Sequence, residues 1–534
     1  MSFLRLPTLS GNQLVLAVAA FLLAGANFSF FGNVLKVYSF ASHVLPLLSL
    51  ALVMLAVIVL LLGLTAVGRA TRPVLIAVLM LSAVTAHFMD SVGAVINNEM
   101  LDNAAQTNIG EAADLLTFRL LAYLLVLGVL PSLFVARVKL AWCGWRRELL
   151  GRLKLLALAV VLLVAPVMGF GSFYASFVRT YKPLRFYANP AFPLYSLARH
   201  GYARFAGPAS KTIATVGADA RIPPEDIHRE LIIVVVGETA RADHFGLNGY
   251  VRDTTPLLRK AGVVNFPDFH ACGTSTAVSV PCMFSQAGSK GKAEGQESLL
   301  DVLQHAGVNV LWIDNNSDSK GVALRVPYQN YKSPTVNTVC DVECRDEGML
   351  VPLQAYIDSH PEGDIFIVLH QMGNHGPAYY KRYPPAFERF TPVCRSNDLS
   401  LCSQEEVINA YDNALLYTDY FLSKTIDLLK QNGKRFETAL FYVSDHGESL
   451  GEAGTYLHGL PKAIAPDAQL HVPAIMWLGD PENEIDQPAL ALKSRQTFSH
   501  DNLFHTVLGF FEIESAIYRP GLDILAGARK PDWK

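Results

Sequence analysis

The chain has 534 residues, of which 51% are apolar and 17% charged, with a formal net charge of −3. Such a length exceeds one ordinary hydrophobic core, so two or more domains are expected. The near-neutral balance excludes the broad basic field with which nucleic-acid binders attract phosphates, and nucleic acid is not an expected partner.

The apolar residues crowd into the first 175 positions, where five runs stand at 14–31, 45–67, 74–94, 118–136 and 153–174. Crossing roughly 30 Å of hydrocarbon takes about 20 helical residues, so each run is a candidate transmembrane helix. Five in succession, nearly free of internal charge, argue against buried core helices. Ala24-Gly25-Ala26, following the opening apolar stretch of the first run, has the small-residue character of a signal-peptide cleavage site, but four further spans argue for an anchor. Lys and Arg near span ends mark cytoplasmic loops. Arg69 and Arg72 lie between spans two and three, and Arg137, Lys139, Arg146, Arg147, Arg152 and Lys154 between four and five. The loop between spans three and four carries Asp90, Glu99, Asp102, Glu111 and Asp114 and is expected outside. An inside N-terminus and five crossings then place everything after Tyr174 outside the cytoplasm.

Cysteine usage agrees, because disulfides persist outside the cytosol. Cys143 alone falls in a predicted cytoplasmic loop and has no assignable role. Cys272 and Cys282, Cys340 and Cys344, and Cys394 and Cys402 form three closely spaced pairs in the soluble part. Short-loop disulfides are expected; zinc–thiolate ligation is the alternative, but no pair has the two-residue spacing of a zinc knuckle.

Three regions are expected: a five-helix transmembrane domain over 1–176, an interfacial linker over 177–227 and an extracytoplasmic catalytic domain over 228–534. The linker carries Lys182-Pro183, Asn189-Pro190 and Pro223-Pro224, with an amphipathic piece at 194–205 suited to a membrane surface. From His228 on, β-branched runs at 231–236, 308–313, 365–369, 439–444 and 473–478 alternate with helical patterns. That pattern predicts an α/β domain with a mostly parallel central sheet.

Ligands of open α/β sheets bind beyond the carboxyl ends of strands, and the polar chemistry stands there. Glu238 follows the first strand in Gly237-Glu238-Thr239-Ala240-Arg241, and Asp445 and His446 follow another in Ser444-Asp445-His446-Gly447-Glu448. Carboxylate oxygen and imidazole nitrogen together suit a dication such as zinc. The small-residue segment 272–282, bracketed by two cysteines, offers Thr274, Ser275 and Thr276 as hydroxyls that a metal can activate, and spacing does not choose among them. His375 and His458 supply further donors, enough for one zinc ion and for a second or for phosphate oxygens.

At these residues the chain resembles the lipid A phosphoethanolamine transferases, the family that includes the polymyxin-resistance enzymes of the alkaline phosphatase and sulfatase superfamily. GETARADH, CGTSTAVSVPCMFS, DNNSDSK, HQMGNHGPAYYKRY, INAYDNALLYTD and SDHGESLGE stand in the family's order after five spans. The resemblance implies Thr276 as the nucleophile that becomes phosphoethanolaminated, and Glu238, Asp445 and His446 as zinc ligands beside it. It implies His375 and His458 at a second metal or the substrate phosphate, and Asn316 and Lys320 at the transferred group. It also implies Asn103, Thr107 and Glu111 at the ethanolamine end, their four-residue spacing sharing one helical face. The spacing of Cys340 and Cys344 is tighter than the family pattern, so that loop is expected to differ. The implied reaction takes phosphatidylethanolamine as donor and a lipid A phosphate, core sugar or other envelope group as acceptor, releasing diacylglycerol. It implies a monomer in a Gram-negative inner membrane with its catalytic domain in the periplasm. The competing expectations are a hydrolase, a phosphoglycerol transferase like the lipoteichoic acid synthases, and a catalytically dead lipid-binding protein.

Overall fold

The computed structural model describes residues 7–106, 109–142, 144–205, 213–479 and 484–530. The chain divides into two compact units, one of residues up to Leu101 with Leu116–Phe205, the other of Asp102–Leu115 with the chain from Ala206 onward. This division differs from the three regions read from sequence: the helical part of the linker packs within the first unit, and the acidic segment 102–115 within the second.

In the first unit, helices Phe40–Thr65, Gly68–Val92, Phe118–Arg137 and Trp145–Gly169 are long and apolar enough to cross a membrane, among the described residues. The expected unbroken first span is instead two helices, Gly11–Gly25 and Phe28–Val37, bent by 54°. Asn27 sits at the break. Its Nδ2 donates to the Leu22 carbonyl at 2.9 Å and the Asn189 carbonyl at 2.8 Å, and its Oδ1 accepts from the Asn189 amide at 3.0 Å. Groups freed where a helix breaks in an apolar surround need such internal partners, and the apolar run gives no sign of the break. Leu45, Leu125 and Val161 are more than half exposed, as lipid-facing positions are. Helix Ala191–Phe205 contains the predicted amphipathic piece.

The second unit is built on an eight-stranded sheet. In chain order its strands are β1 (Glu230–Gly237), β2 (Val264–His270), β3 (Asn309–Asp314), β4 (Tyr328–Asn330), β5 (Ile365–His370), β6 (Glu437–Ser444), β7 (His471–Leu478) and β8 (Phe498–Ser499). They are ordered β8-β2-β7-β6-β1-β5-β3-β4, and β7 alone runs against its neighbours. β1 lies centrally and is buried along its length. Ile232, Val234 and Val236 enter one core while Leu231, Ile233 and Val235 enter the other, the two-faced burial expected of a parallel strand covered on both sides. Two helices matter for the site, α1 (Thr276–Met283) and α2 (Gln404–Asn432). A capping box of Ser403 and Glu406 starts α2.

The three expected disulfides are present: Cys272–Cys282, Cys340–Cys344 and Cys394–Cys402. The first ties the ends of a segment with a sequence separation of 10 across the start of α1. In the loop-entropy account it contributes roughly 2.5–3 kcal/mol. Replacing both cysteines by serine is therefore expected to lower the thermal midpoint by about 3–5 °C, measured by following unfolding of the purified full chain. An unchanged midpoint would contradict that role.

Candidate active site

Parallel strands bring their carboxyl ends to one edge, and the site is assembled there. β1 ends in Gly237, where a Cβ would meet the Tyr442 ring at 2.5 Å, so only glycine passes. Glu238 follows, then Thr239 with φ of 53°. This left-handed turn is held from α2: Tyr411 donates its hydroxyl to the Thr239 carbonyl at 2.7 Å and accepts from the Arg241 amide at 2.9 Å. The turn aims Glu238 along the sheet edge toward the end of β6.

There, Asp445 Oδ1 accepts the amides of His446 at 2.8 Å and Thr239 at 3.3 Å. His446 Nδ1 lies 2.9 Å from the Gly447 carbonyl, which assigns the proton to Nδ1 and leaves Nε2 as a lone-pair donor. Nε2 stands 3.3 Å from Glu238 Oε1, 3.4 Å from Asp445 Oδ2 and 3.3 Å from Thr276 Oγ1. Thr276 opens α1 and donates to Glu238 Oε2 at 3.1 Å. Of the other hydroxyls in its segment, Thr274 donates to the Leu460 carbonyl at 2.6 Å.

The donor atoms of Glu238, Asp445 and His446 lie within 4.8 Å of one another in full burial. Glu238 Oε1 and Asp445 Oδ2 are buried without a hydrogen-bond partner. Two dehydrated carboxylates facing each other are costly unless a cation lies between them. Oxygen and imidazole donors around such orphaned atoms fit a metal ion.

Protonation in the metal-free cluster follows from the same geometry. Burial, and then the Glu238 carboxylate, push Asp445 up to about 6. Burial works against the His446 imidazolium, but Asp445 and Glu238 outweigh it and raise the group to about 10. For Glu238, burial is outweighed by His446 and the carboxyl is drawn well below its usual range. A bound metal requires neutral His446 and ionised Asp445. Binding therefore releases about one proton between these two values and about two below the lower one, so affinity rises with pH. Metal binding is expected to be about a hundredfold weaker near pH 5.5 than near pH 7.5, as calorimetric titration will show. Equal affinity at the two pH values would contradict the cluster as the binding site.

Three side chains that sequence reading left unassigned support the cluster. His500 is buried and bridges two segments: its Nδ1 accepts the Cys272 amide at 3.0 Å and its Nε2 reaches the Ser444 carbonyl at 2.9 Å. Burial lowers it to about 4, so it stays neutral and clamps the Thr276 segment to the end of β6. Glu448 is fully buried, accepts the Tyr379 hydroxyl at 2.6 Å and holds His458 Nδ1 at 2.8 Å. With His446 and His458 it forms a second group able to hold a metal. Asp314 at the end of β3 pairs with His370 Nδ1 at 2.8 Å, at the end of β5. Glu448 stood inside a quoted motif; nothing in the sequence distinguished His500.

Among the other predicted site residues, the His458 ring lies 4.2 Å from that of His446 and 5.8 Å from that of His375, so both converge on the cluster. Asn316, expected at the transferred group, gives its amide to Glu238 Oε2 at 2.7 Å and the Gln371 carbonyl at 2.8 Å; it orients a carboxylate. Lys320 donates to the Ser317 carbonyl at 2.6 Å and lines a cleft of about 580 Å³ with Ala277, Val278 and Pro281 of α1. Asn103 belongs to the second unit. Thr107, the side chain of Glu111, and Cys143 lie outside the described residues.

Residues 230–513 match the sulfatase family, and residues 54–205 match the family described as phosphoethanolamine transferase EptA/EptB. The chain is 44% identical over 516 residues to phosphatidylethanolamine transferase Mcr-1 of Escherichia coli, covering 94% of each. It is 39% identical over 543 residues to phosphoethanolamine transferase EptA of Escherichia coli K12, covering 99% of this chain and 98% of the relative. The integral membrane lipooligosaccharide phosphoethanolamine transferase A of Neisseria meningitidis superposes with a TM-score of 0.93 at 34% identity, covering 98% of this chain and all of that one. With these relatives, its apolar N-terminal helices and its buried metal-type cluster, the chain belongs to the lipid A phosphoethanolamine transferases of the alkaline phosphatase and sulfatase superfamily, multi-pass enzymes of the inner membrane with a periplasmic catalytic domain.

Proposed function

We propose that the protein transfers phosphoethanolamine from phosphatidylethanolamine to a lipid A phosphate in two steps through Thr276. Thr276 Oγ gives up its proton, attacks the donor phosphorus and forms a P–O bond; the bond to the glycerol oxygen breaks, and that oxygen takes up a proton in exchange as diacylglycerol departs. A lipid A phosphate oxygen then attacks the same phosphorus, the bond to Thr276 breaks, and Oγ takes up a proton to restore the hydroxyl. The observation that carries this reading is a buried threonine hydroxyl within 3.1 Å of Glu238 and 3.3 Å of His446.

A zinc ion held by Glu238, Asp445, His446 and Thr276 would lower the pKa of the hydroxyl and offset the charge developing on the phosphoryl oxygens. The chain's own groups do the rest. Glu238 receives the Thr276 hydrogen bond and is itself fixed by Asn316. His458, anchored through Nδ1 by Glu448, keeps Nε2 for a phosphoryl oxygen or for giving the departing glycerol oxygen its proton. His375 stands on the same side, and the group of His446, Glu448 and His458 would hold a second zinc. Asn103, Thr107 and Glu111 read the ethanolamine, and Lys320 meets the transferred phosphate from the cleft beside α1. One chain supplies every donor of the cluster, so a monomer suffices. The anchor keeps the site near donor and acceptor headgroups, which cuts the cost of encounter.

Production of the protein in a Gram-negative host lacking such enzymes is expected to add one phosphoethanolamine to lipid A in mass spectra. Unmodified lipid A from cells that carry the protein in their membranes would refute the acceptor assignment.

A further inference from the structure

Within the second unit, the acidic segment between the third and fourth spans presents Asp114 to two cations. Asp114 closes the short helix Ile109–Asp114. Its Oδ1 accepts from Lys381 Nζ at 2.5 Å and Asn397 Nδ2 at 3.2 Å, and its Oδ2 from Arg382 Nη2 at 3.4 Å. The Asp114 side chain is 14% exposed and that of Arg382 4%, so these charges meet largely out of water. Pairs of that kind depend far more on both partners than surface pairs do.

Arg382 extends the contact to the site. Its Nε donates to the His375 carbonyl at 2.6 Å, and its Nη1 to Glu343. Arg345, paired with Asp341 at 2.5 Å, donates to the Lys381 carbonyl at 2.5 Å, fixing the backbone that presents both cations. Three residues before Arg382, Tyr379 holds Glu448 and through it His458. The run from His375 to Arg382 thus touches the phosphate-side histidines at one end and Asp114 at the other.

We infer that Asp114 is a positioning residue that latches helix Ile109–Asp114 to the His375–Arg382 run through Lys381 and Arg382. The helix that carries Glu111, expected at the donor headgroup, is then held beside the run that carries His375. Nothing in this role has Asp114 touch the substrate. The inference rests on the donor reading above for its functional consequence, and on the contacts alone for the latch.

The test uses the full chain in lipid nanodiscs. Asp114→Asn is expected to raise the KM for phosphatidylethanolamine about tenfold while kcat at saturation and zinc content stay unchanged. Amide exchange over 109–114 should speed up by about tenfold or more. Asp114→Glu should restore both readings substantially, and Asp114→Asn with Lys381→Gln should be little worse than Asp114→Asn alone, as for two partners of one contact. Unchanged exchange or unchanged KM in Asp114→Asn overturns the latch. So does a joint loss of kcat and zinc, which would mark a general structural role. A wild-type protein that transfers nothing from this donor would sink the donor reading instead, and the exchange comparison would then decide the latch by itself.

Discussion

Thr276→Ala is expected to lower phosphoethanolamine transfer by about 10³-fold or more, since removing an attacking atom leaves only binding and charge stabilisation. Purified full-chain protein assayed with headgroup-labelled donor and lipid A measures this directly. Thr276→Ser should keep a measurable fraction of activity, because the hydroxyl remains beside Glu238 and His446. Neither variant should disturb the fold: Thr276 begins an eight-residue helix whose segment is held by Cys272–Cys282 and by His500. Thr274→Ala serves as the comparison, since that hydroxyl is already given to Leu460. Full transfer by Thr276→Ala would end the nucleophile assignment.

The second large effect concerns the buried carboxylates. Glu238→Gln and Asp445→Asn preserve shape but each removes one negative donor from a site in which Glu238 Oε1 and Asp445 Oδ2 lack hydrogen-bond partners. Both are expected to lose about one equivalent of bound zinc relative to the wild type, measured by elemental analysis, and to lower transfer by about 10³-fold. Stability separates this from misfolding. Zinc at a hundred times its dissociation constant should stabilise the wild type by about 2.7 kcal/mol, and the variants should show no such gain. The metal-free Asp445→Asn protein should be no less stable than the metal-free wild type, because burial and Glu238 both disfavour the ionised Asp445. A variant that retains its zinc would contradict the donor set.

Much of this was legible before any coordinates, for identifiable reasons. The five long strands announce themselves as β-branched runs because they are buried on both faces. β2 did not, since Pro267 and Asp268 interrupt its pattern and only Phe266 and Phe269 are buried; β4 and β8, of three and two residues, are too short for periodicity to register. β7 reads like its neighbours but runs antiparallel, because direction leaves no trace in composition. In the first span, nothing in the apolar run marks Asn27 as the break. Its partner Asn189 lies 162 positions away, beyond any local pattern.

The site divides the same way. Glu238, Asp445 and His446 were conspicuous because they follow strands directly, and the structure brings them together with Thr276. Which hydroxyl faces them depended on the start of α1, which spacing does not determine. Asn316 and Glu448 stood within quoted motifs, but their contacts with Glu238, Tyr379 and His458 join separate strand ends. His500 carried no signal, and Asp114 counted only as one acid of an outer loop: the work of each depends on what the fold places opposite it.

Peptide mapping by mass spectrometry after incubation with headgroup-labelled phosphatidylethanolamine, in the absence of acceptor, tests the central claim most directly. The account predicts one labelled phosphoethanolamine on the peptide containing Thr276, discharged when lipid A is added. Transfer to lipid A with no label on that peptide, or with label on another residue, would contradict it.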